Sequence, residues 1–190
     1  PLHQHKEFEL NFIEKGKGVR RIVGDSVEEI GDYELVLLGG EDLEHVWEQG
    51  SCTSKNIREI TVQFSGDIFG NDLLSKNQFA SIRAMLEKAD HGICFPISTI
   101  MKVYSTLDTI ADESERFVQF LKFMYVLYEL SVSDDVRILA SSSFSHTESN
   151  VESSRIQKVK QYVSEHYPEP LKLNDIADLV GMSPVAFSRF

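Results

Sequence analysis

The sequence contains few cysteines, few prolines and no long apolar segment. Its 190 residues include two cysteines, Cys52 and Cys94, five prolines and one tryptophan. The two cysteines have neither a CxxC nor a zinc-site spacing, so we expect reduced thiols in a cytoplasmic protein. No apolar run reaches membrane-spanning length, and no signal-peptide pattern is visible. These absences argue against a disulfide-rich secreted domain and against an integral membrane protein.

The acidic residues are unevenly distributed along the chain. The net charge is −11, from 19 basic and 30 acidic residues, and the hydrophobic content of 42% is enough for a sizeable core. Residues 151–190 contain five basic and five acidic residues, so the preceding part carries the whole negative excess. Because DNA-binding domains are usually basic, we expect that this acidic part does not contact DNA.

Short strand-like segments fill residues 1–75. We predict strands at 8–13, 19–23, 27–30, 34–38, 45–47 and 57–64, separated by glycine-containing turns. Strands at this spacing predict a β-sandwich or a small barrel.

Helical periodicity replaces the strand pattern in residues 76–147. We predict helices from Phe79 to His91, from Ile97 to Ile110 and from Phe117 to Leu130. The third is apolar around most of its circumference, which indicates the centre of a helical bundle or a dimer interface. Residues 136–139 read as a helix end and 141–150 as a flexible polar linker.

The last twenty residues have the pattern of a helix, a tight turn and a second helix. The first helix has one apolar stripe, formed by Ile176, Ala177 and Val180. Gly181 follows where a helix C-terminus favours positive φ, Ser183 suits an N-cap, and Pro184 suits the first helical position.

The order Ile176-Ala-x-x-Val-Gly-Met-Ser-Pro-x-x-Phe-Ser-Arg-Phe190 resembles the first helix-turn-helix of AraC/XylS-type transcription regulators. Members of that family carry two such units, so the resemblance implies a truncated DNA-binding domain over residues 148–190. It also implies a set of DNA-facing residues: Ser183, Pro184, Val185, Ser188 and Arg189. Arg189 is the best candidate among them for donating to guanine or phosphate.

A second set of residues lies near the N-terminus. His3, His5 and Glu9 are spaced so that one face of an extended segment carries all three, and Gly16 follows seven residues after Glu9. This run resembles the first motif of the cupin superfamily, His-x-His-x3-Glu-x6-Gly. His45 has the place of the histidine in the second cupin motif, although the proline, glycine and asparagine that flank it in that family are absent here.

Two interpretations of this set remain open. In metal-binding cupins the three histidines and the glutamate ligate one divalent transition-metal ion, so the resemblance implies such a site at His3, His5, Glu9 and His45. Alternatively, these side chains form hydrogen bonds in a pocket for an organic effector. Trp47 should share their face, where its ring either stacks on a sugar or packs in the core. Further polar candidates are Arg20, Tyr33, Arg58 and Gln63.

Together these patterns predict an α+β protein in three parts. Residues 1–75 form a cupin-like effector-sensing β-barrel (jelly roll), residues 76–147 a helical connector that forms a homodimer, and residues 148–190 the partial helix-turn-helix. The predicted function is a cytoplasmic, non-enzymatic transcription regulator that senses a small molecule, with a sugar as the preferred candidate, and binds DNA through the complete parent protein. The alternatives are a metal-dependent cupin enzyme of dioxygenase or isomerase type, and a dimerisation module with an empty barrel.

Overall fold

The computed structural model describes residues 2–41, 43–141, 159, 162–163, 166, 171–182 and 184–187. The chain divides into two compact units, Pro1–Ser145 and His146–Phe190. The linker predicted at 141–150 lies outside the described residues apart from Ser141. The apolar period of Ile156, Val159 and Val163 predicts a further helix from Glu152 to Tyr167. Of that segment only residues 159, 162, 163 and 166 are described, and each of them is helical.

Eight strands of the first unit form two antiparallel sheets. They are β1 (Phe8–Glu14), β2 (Arg20–Val23), β3 (Ser26–Glu29), β4 (Tyr33–Leu38), β5 (His45–Glu48), β6 (Arg58–Phe64), β7 (Ile93–Cys94) and β8 (Arg137–Ile138). One sheet has the order β6-β1-β4-β7-β8 and the other β3-β2-β5. Among the described residues the strand pairings form two separate sheets and close no barrel, so the strands form a sandwich.

Alternation along the strands explains why the larger sheet is covered on both faces. Leu10 and Phe12 of β1 pack against helices in one core cluster. Ile13, whose side chain is on the opposite face of β1, packs with Val19 and Trp47 in another cluster. Because side chains alternate across a strand, Glu9 and Asn11 share the face of Ile13. The polar residues of β1 therefore lie on the face of the larger sheet that is turned towards the smaller sheet.

The helices cover the other face of the larger sheet. The described helices of this unit are α1 (Gly70–Leu73), α2 (Ala80–Lys88), α3 (Ile97–Ile110) and α4 (Arg116–Ser131), with 3₁₀ turns at Gly66–Phe69, Asn77–Phe79 and Ala89–His91. Helix α4 buries Phe123, Val126, Leu127 and Leu130, an i, i+3, i+4, i+7 stripe. The three predicted helices are confirmed: the bounds of α3 agree with the prediction, and those of α2 and α4 differ from it by one to three residues.

The prediction for residues 136–139 is wrong. Arg137 and Ile138 form β8, which pairs antiparallel with β7 at the edge of the larger sheet. The segment is too short for its sequence to reveal a strand, and its extended conformation depends on the partner that the fold provides. Strands β7 and β8 also join the sequence after residue 75 to the sheet, so residues 1–75 and 76–141 lie within one compact unit.

The second unit contains α5 (Leu173–Leu179) and α6 (Pro184–Phe187), which contact each other. Ile176, Ala177 and Val180 are buried, as predicted. The turn after α5 is a Schellman motif: Met182 N–H donates to the Ala177 carbonyl and Gly181 N–H to that of Asp178. Gly181 has a φ of 67°, the conformation that its position predicts.

None of the helices in the described ranges combines the length and apolar character needed to cross a membrane.

Candidate metal and ligand site

The backbone brings the N-terminal segment beside the start of β5. His3 and His45 exchange two backbone hydrogen bonds, with N···O distances of 3.2 and 2.9 Å. His45 is the first residue of β5 and pairs with Val23 of β2, whereas Glu9 lies on β1 in the opposite sheet. The predicted set is therefore assembled from both sheets and from the segment that precedes β1.

His3, His5, Glu9 and His45 form one compact cluster, in which one ligand atom of each lies within 4.8 Å of every other. Nε2 of His5 lies 3.0 Å from Oε2 of Glu9, and Nε2 of His45 lies 3.9 Å from the same oxygen. Ligand atoms about 2.1 Å from a common ion are separated by about 3 Å when adjacent and about 4 Å when opposite. The cluster is thus slightly wider than a filled coordination sphere, and small side-chain rotations close the difference.

Backbone carbonyls orient two of the imidazole rings. Nδ1 of His45 donates to the Leu43 carbonyl at 2.9 Å, and Nδ1 of His5 donates to the Glu7 carbonyl at 2.9 Å. With the proton on Nδ1, the lone pair of a neutral ring is on Nε2, which faces the cluster. Such outer hydrogen bonds fix the tautomer and orientation of metal-ligating histidines.

His45 contains an orphaned buried atom. Its Nε2 has no hydrogen-bond partner, and the residue is 1% exposed. Burial lowers the pKa of His45, although the Leu43 carbonyl and the Glu9 carboxylate oppose this change. A neutral imidazole with an unpaired inward lone pair is costly in a folded protein but is the form that binds a metal.

Gln63 extends the cluster on the β6 side. Its Nε2 donates to Oε2 of Glu9 at 3.0 Å and lies 3.4 Å from Nε2 of His5. Cross-strand pairing of Glu9 with Gln63 accounts for this contact. Of the four further polar candidates, only Gln63 contacts the cluster. Arg20 and Arg58 instead form ion pairs with Glu48 and Asp108, and Tyr33 is 37% exposed and contacts Phe12 and Tyr104.

An open cavity of about 390 Å³ adjoins the cluster. It is lined by His3, Glu9, Asn11, Val46, Trp47, Glu59 and Thr61. Nδ2 of Asn11 donates to Oε1 of Glu59 at 2.6 Å and to Oγ1 of Thr61 at 3.2 Å. The sequence patterns did not single out Asn11, Glu59 or Thr61. Strand alternation could have indicated them, because Asn11 shares the face of Glu9 on β1, and Glu59 and Thr61 share the face of Gln63 on β6.

Trp47 lines this cavity and also a second one of about 380 Å³, whose walls include Ile13, Val19 and Ile57. Its indole Nε1 donates to Oε2 of Glu34 at 3.0 Å, which fixes the ring plane. The residue is half-buried and packs against core residues as well. Both predicted roles of Trp47, ligand-facing and core, are therefore compatible with its position.

A buried arginine shares the Glu34 carboxylate with Trp47. Arg21 is fully buried and donates to Glu34 and, at 2.5 Å, to Glu28. Glu28 also accepts two hydrogen bonds from Arg137 of β8, at 2.6 and 2.7 Å. Burial raises the pKa of Glu34, and the charge of Arg21 opposes this change. The network joins the ring that lines the site to the last strand of the unit.

The predicted DNA-facing residues are only partly described. Pro184 is the first residue of α6 and is half-buried, and the backbone of Val185 is helical. Ser183, Ser188 and Arg189 lie outside the described residues.

Helix α4 presents an apolar stripe to solvent. Its members are spaced by three or four residues: Phe117, Leu121, Tyr125, Tyr128 and, at the end of the helix, Val132. Phe117 is 71% exposed. The helix therefore contributes both to the core and to an exposed surface.

Comparisons with protein-family models, with curated proteins and with solved structures found no match to this chain.

Proposed function

We propose that this chain is the sensing part of a DNA-binding transcription regulator, and that its first unit binds a divalent transition metal at His3, His5, Glu9 and His45. The observation that carries the proposal is the cluster itself, four ligand atoms within 4.8 Å of one another, with the buried Nε2 of His45 left without a partner. A cupin-like arrangement of the two facing sheets accounts for the position of this cluster between them.

The ligand set determines which ions fit. Three imidazoles and one carboxylate suit Fe, Mn, Ni, Cu or Zn, and four protein ligands leave positions for a small molecule in a five- or six-coordinate sphere. Such an ion supplies a Lewis acid that anchors and polarises an oxygen of the effector. The protein side chains orient the ligands, through Leu43 and Glu7, and supply the adjoining cavity.

The metal site is tested by elemental mass spectrometry on tag-free protein. We expect near-stoichiometric transition metal, and its loss in His5→Ala and Glu9→Gln but not in the control His91→Ala, a half-buried histidine that is not part of the cluster. At a free metal concentration about 100 times Kd, binding stabilises the fold by about 2.7 kcal/mol, or roughly 5–10 °C in melting temperature. Substoichiometric metal in wild type and variants alike, with no thermal shift on metal addition, contradicts the metal site.

The regulatory role rests on the order of parts along the chain. A two-sheet unit with a candidate ligand site is followed by two short helices joined by a glycine turn. These helices coincide with the stretch that resembles an AraC/XylS-type helix-turn-helix, and that resemblance implies a second such unit in the parent protein. We expect the parent protein to bind a repeated DNA half-site with strong salt dependence. Absence of sequence-preferring, salt-sensitive binding refutes this role.

A homodimer is the proposed assembly, with the exposed stripe of α4 as its contact surface. Apolar side chains repeated every three or four residues form a seam that a second copy of the same helix can match. Effector capture then shifts the population between arrangements of the dimer, which changes how the DNA-binding parts are presented.

A metal-dependent enzyme is the second candidate. The observation that favours it is the open polar cavity beside the cluster, which gives a substrate direct access to the proposed ion. Consumption of a bound small molecule by the metal-loaded chain, abolished in Glu9→Gln, distinguishes an enzyme from a sensor, which releases its ligand unchanged.

A further inference from the structure

The polar groups around the cavity are mainly acceptors. Nδ2 of Asn11 uses both of its hydrogens, on Glu59 and Thr61, and this contact with a carboxylate fixes the orientation of the amide. Oδ1 of Asn11 then remains without a partner in a residue that is 2% exposed and lines the cavity. A buried acceptor of this kind requires a donor, and the cavity is the place from which one can come.

The charge around the cavity disfavours anionic ligands. Two carboxylates, those of Glu9 and Glu59, line it, and none of its lining residues in the described part of the chain is a lysine or an arginine. With a divalent ion at the proposed metal site, these two carboxylates balance its charge, so the loaded site is close to neutral. A carboxylate or phosphate ligand would therefore add a negative charge beside Glu59 with no basic side chain to neutralise it.

The walls of the cavity also define the shape of the ligand. Trp47 presents a flat apolar surface between this cavity and the second one, which is lined by Ile13, Val19 and Ile57. The Nε1 of Trp47 is occupied by Glu34, so the ring offers its surface rather than its N–H group. A carbon skeleton lying on this surface can direct its polar groups towards Glu59 and the cluster.

We propose that the cavity binds a neutral vicinal diol, with two adjacent hydroxyls at the metal cluster and donating to Glu59 and Asn11, and the carbon skeleton on Trp47. Adjacent hydroxyls match the two positions that four protein ligands leave in a six-coordinate ion. This inference rests on the proposed metal site. An aliphatic polyol and a catechol ring are two sources of the same chemistry, and the test separates them.

The test uses isothermal titration calorimetry on the 190-residue chain loaded with Mn²⁺, an ion that favours six-fold coordination, with metal content measured on the same samples. The probes are meso-erythritol and catechol as vicinal diols, propane-1,3-diol as the spacing control and 2-oxoglutarate as the anion. We expect one vicinal diol to bind about tenfold or more tightly than both controls, and to lose its binding after chelation of the metal. Quenching of Trp47, the single tryptophan, locates that binding in the cavity.

Glu59→Gln is the variant that tests the proposed contact, because it removes the charge and keeps the shape. It should weaken binding of the diol by roughly tenfold and strengthen binding of 2-oxoglutarate. The control Glu87→Gln, on the exposed side of α2, should change neither affinity. Tighter binding of 2-oxoglutarate than of both diols, no diol binding, or an unchanged Glu59→Gln overturns the inference. Failure to load Mn²⁺ overturns the proposed metal site and the inference together, whereas loading without diol binding overturns the inference alone.

Discussion

Replacing Arg21 by methionine should destabilise the first unit substantially. The substitution removes the hydrogen bonds from Arg21 to Glu34 and Glu28, and it leaves Glu34, which is 5% exposed, with only the Trp47 donor. Breaking a buried ion pair costs about 3–5 kcal/mol. The substitution also removes Nε of Arg21, which is buried without a hydrogen-bond partner among the described residues, and this offsets about 1 kcal/mol of the lost stability. We therefore expect a net loss of about 2–4 kcal/mol, or roughly 4–16 °C in melting temperature.

The pH dependence of this loss follows from Glu34. Burial raises the pKa of Glu34 in the folded protein, and loss of Arg21 removes the charge that opposes this change. A group whose folded pKa is raised contributes stability that is fully present below its unfolded pKa and is lost as pH rises through the folded pKa. The deficit of Arg21→Met should therefore shrink when the pH is lowered from neutral towards 4.5, the ordinary pKa of a glutamate side chain.

Urea unfolding followed by Trp47 fluorescence and by circular dichroism measures these differences. Arg20→Met is the matched control, because the adjacent Arg20 forms an exposed ion pair with Glu48 and should change stability by less than about 1 kcal/mol. The double variant Arg21→Met/Glu34→Gln removes both charges of this buried pair and should return to within about 1 kcal/mol of wild type. A loss below about 1 kcal/mol in Arg21→Met, or a double variant no more stable than the single one, refutes this reasoning.

Three further predictions concern other parts of the chain. Leu121→Glu, in the exposed stripe of α4, should leave melting unchanged and convert a dimer to a monomer in light scattering; a dimer that persists excludes this surface. Gly181→Ala should destabilise the second unit by about 1–2 kcal/mol, because an alanine at a φ of 67° is strained. The added Cβ meets no described atom within 4 Å, so this conformational strain is the whole cost. Amide hydrogen exchange in α5 measures the loss, and unchanged protection would show that the strain is negligible. The hydrogen bond from Arg137 lowers the pKa of Glu28, so the stabilisation from this carboxylate is present above 4.5, the ordinary pKa of a glutamate side chain, and is lost as pH falls through the folded pKa. Glu28→Gln should accordingly flatten the acid side of the stability profile, and an unaltered slope would contradict this assignment.

Hydrophobic periodicity determined most of the secondary structure from the sequence alone. Strand alternation located six of the strands, and the 3.6-residue period located α2, α3 and α4. In each case the residues of the buried face recur at a fixed period within one short segment. The two-residue strands β7 and β8 could not be predicted in this way. Their extended conformation depends on pairing with β4 and with each other, partners that are distant in the chain.

For the candidate site, too, the sequence predicted some features and the tertiary structure decided others. The spacing of His3, His5 and Glu9 placed three side chains on one face, and the position of His45 suggested the fourth, before any contact was known. Only the tertiary structure decided that the four ligand atoms meet within 4.8 Å and that Nε2 of His45 has no partner. It also brought Asn11 and Glu59 to the cavity, and it buried Arg21 against Glu34. These features depend on how the two sheets face each other. The alternation of residues along one strand specifies which face each side chain occupies, but it does not specify which residues of another sheet lie opposite.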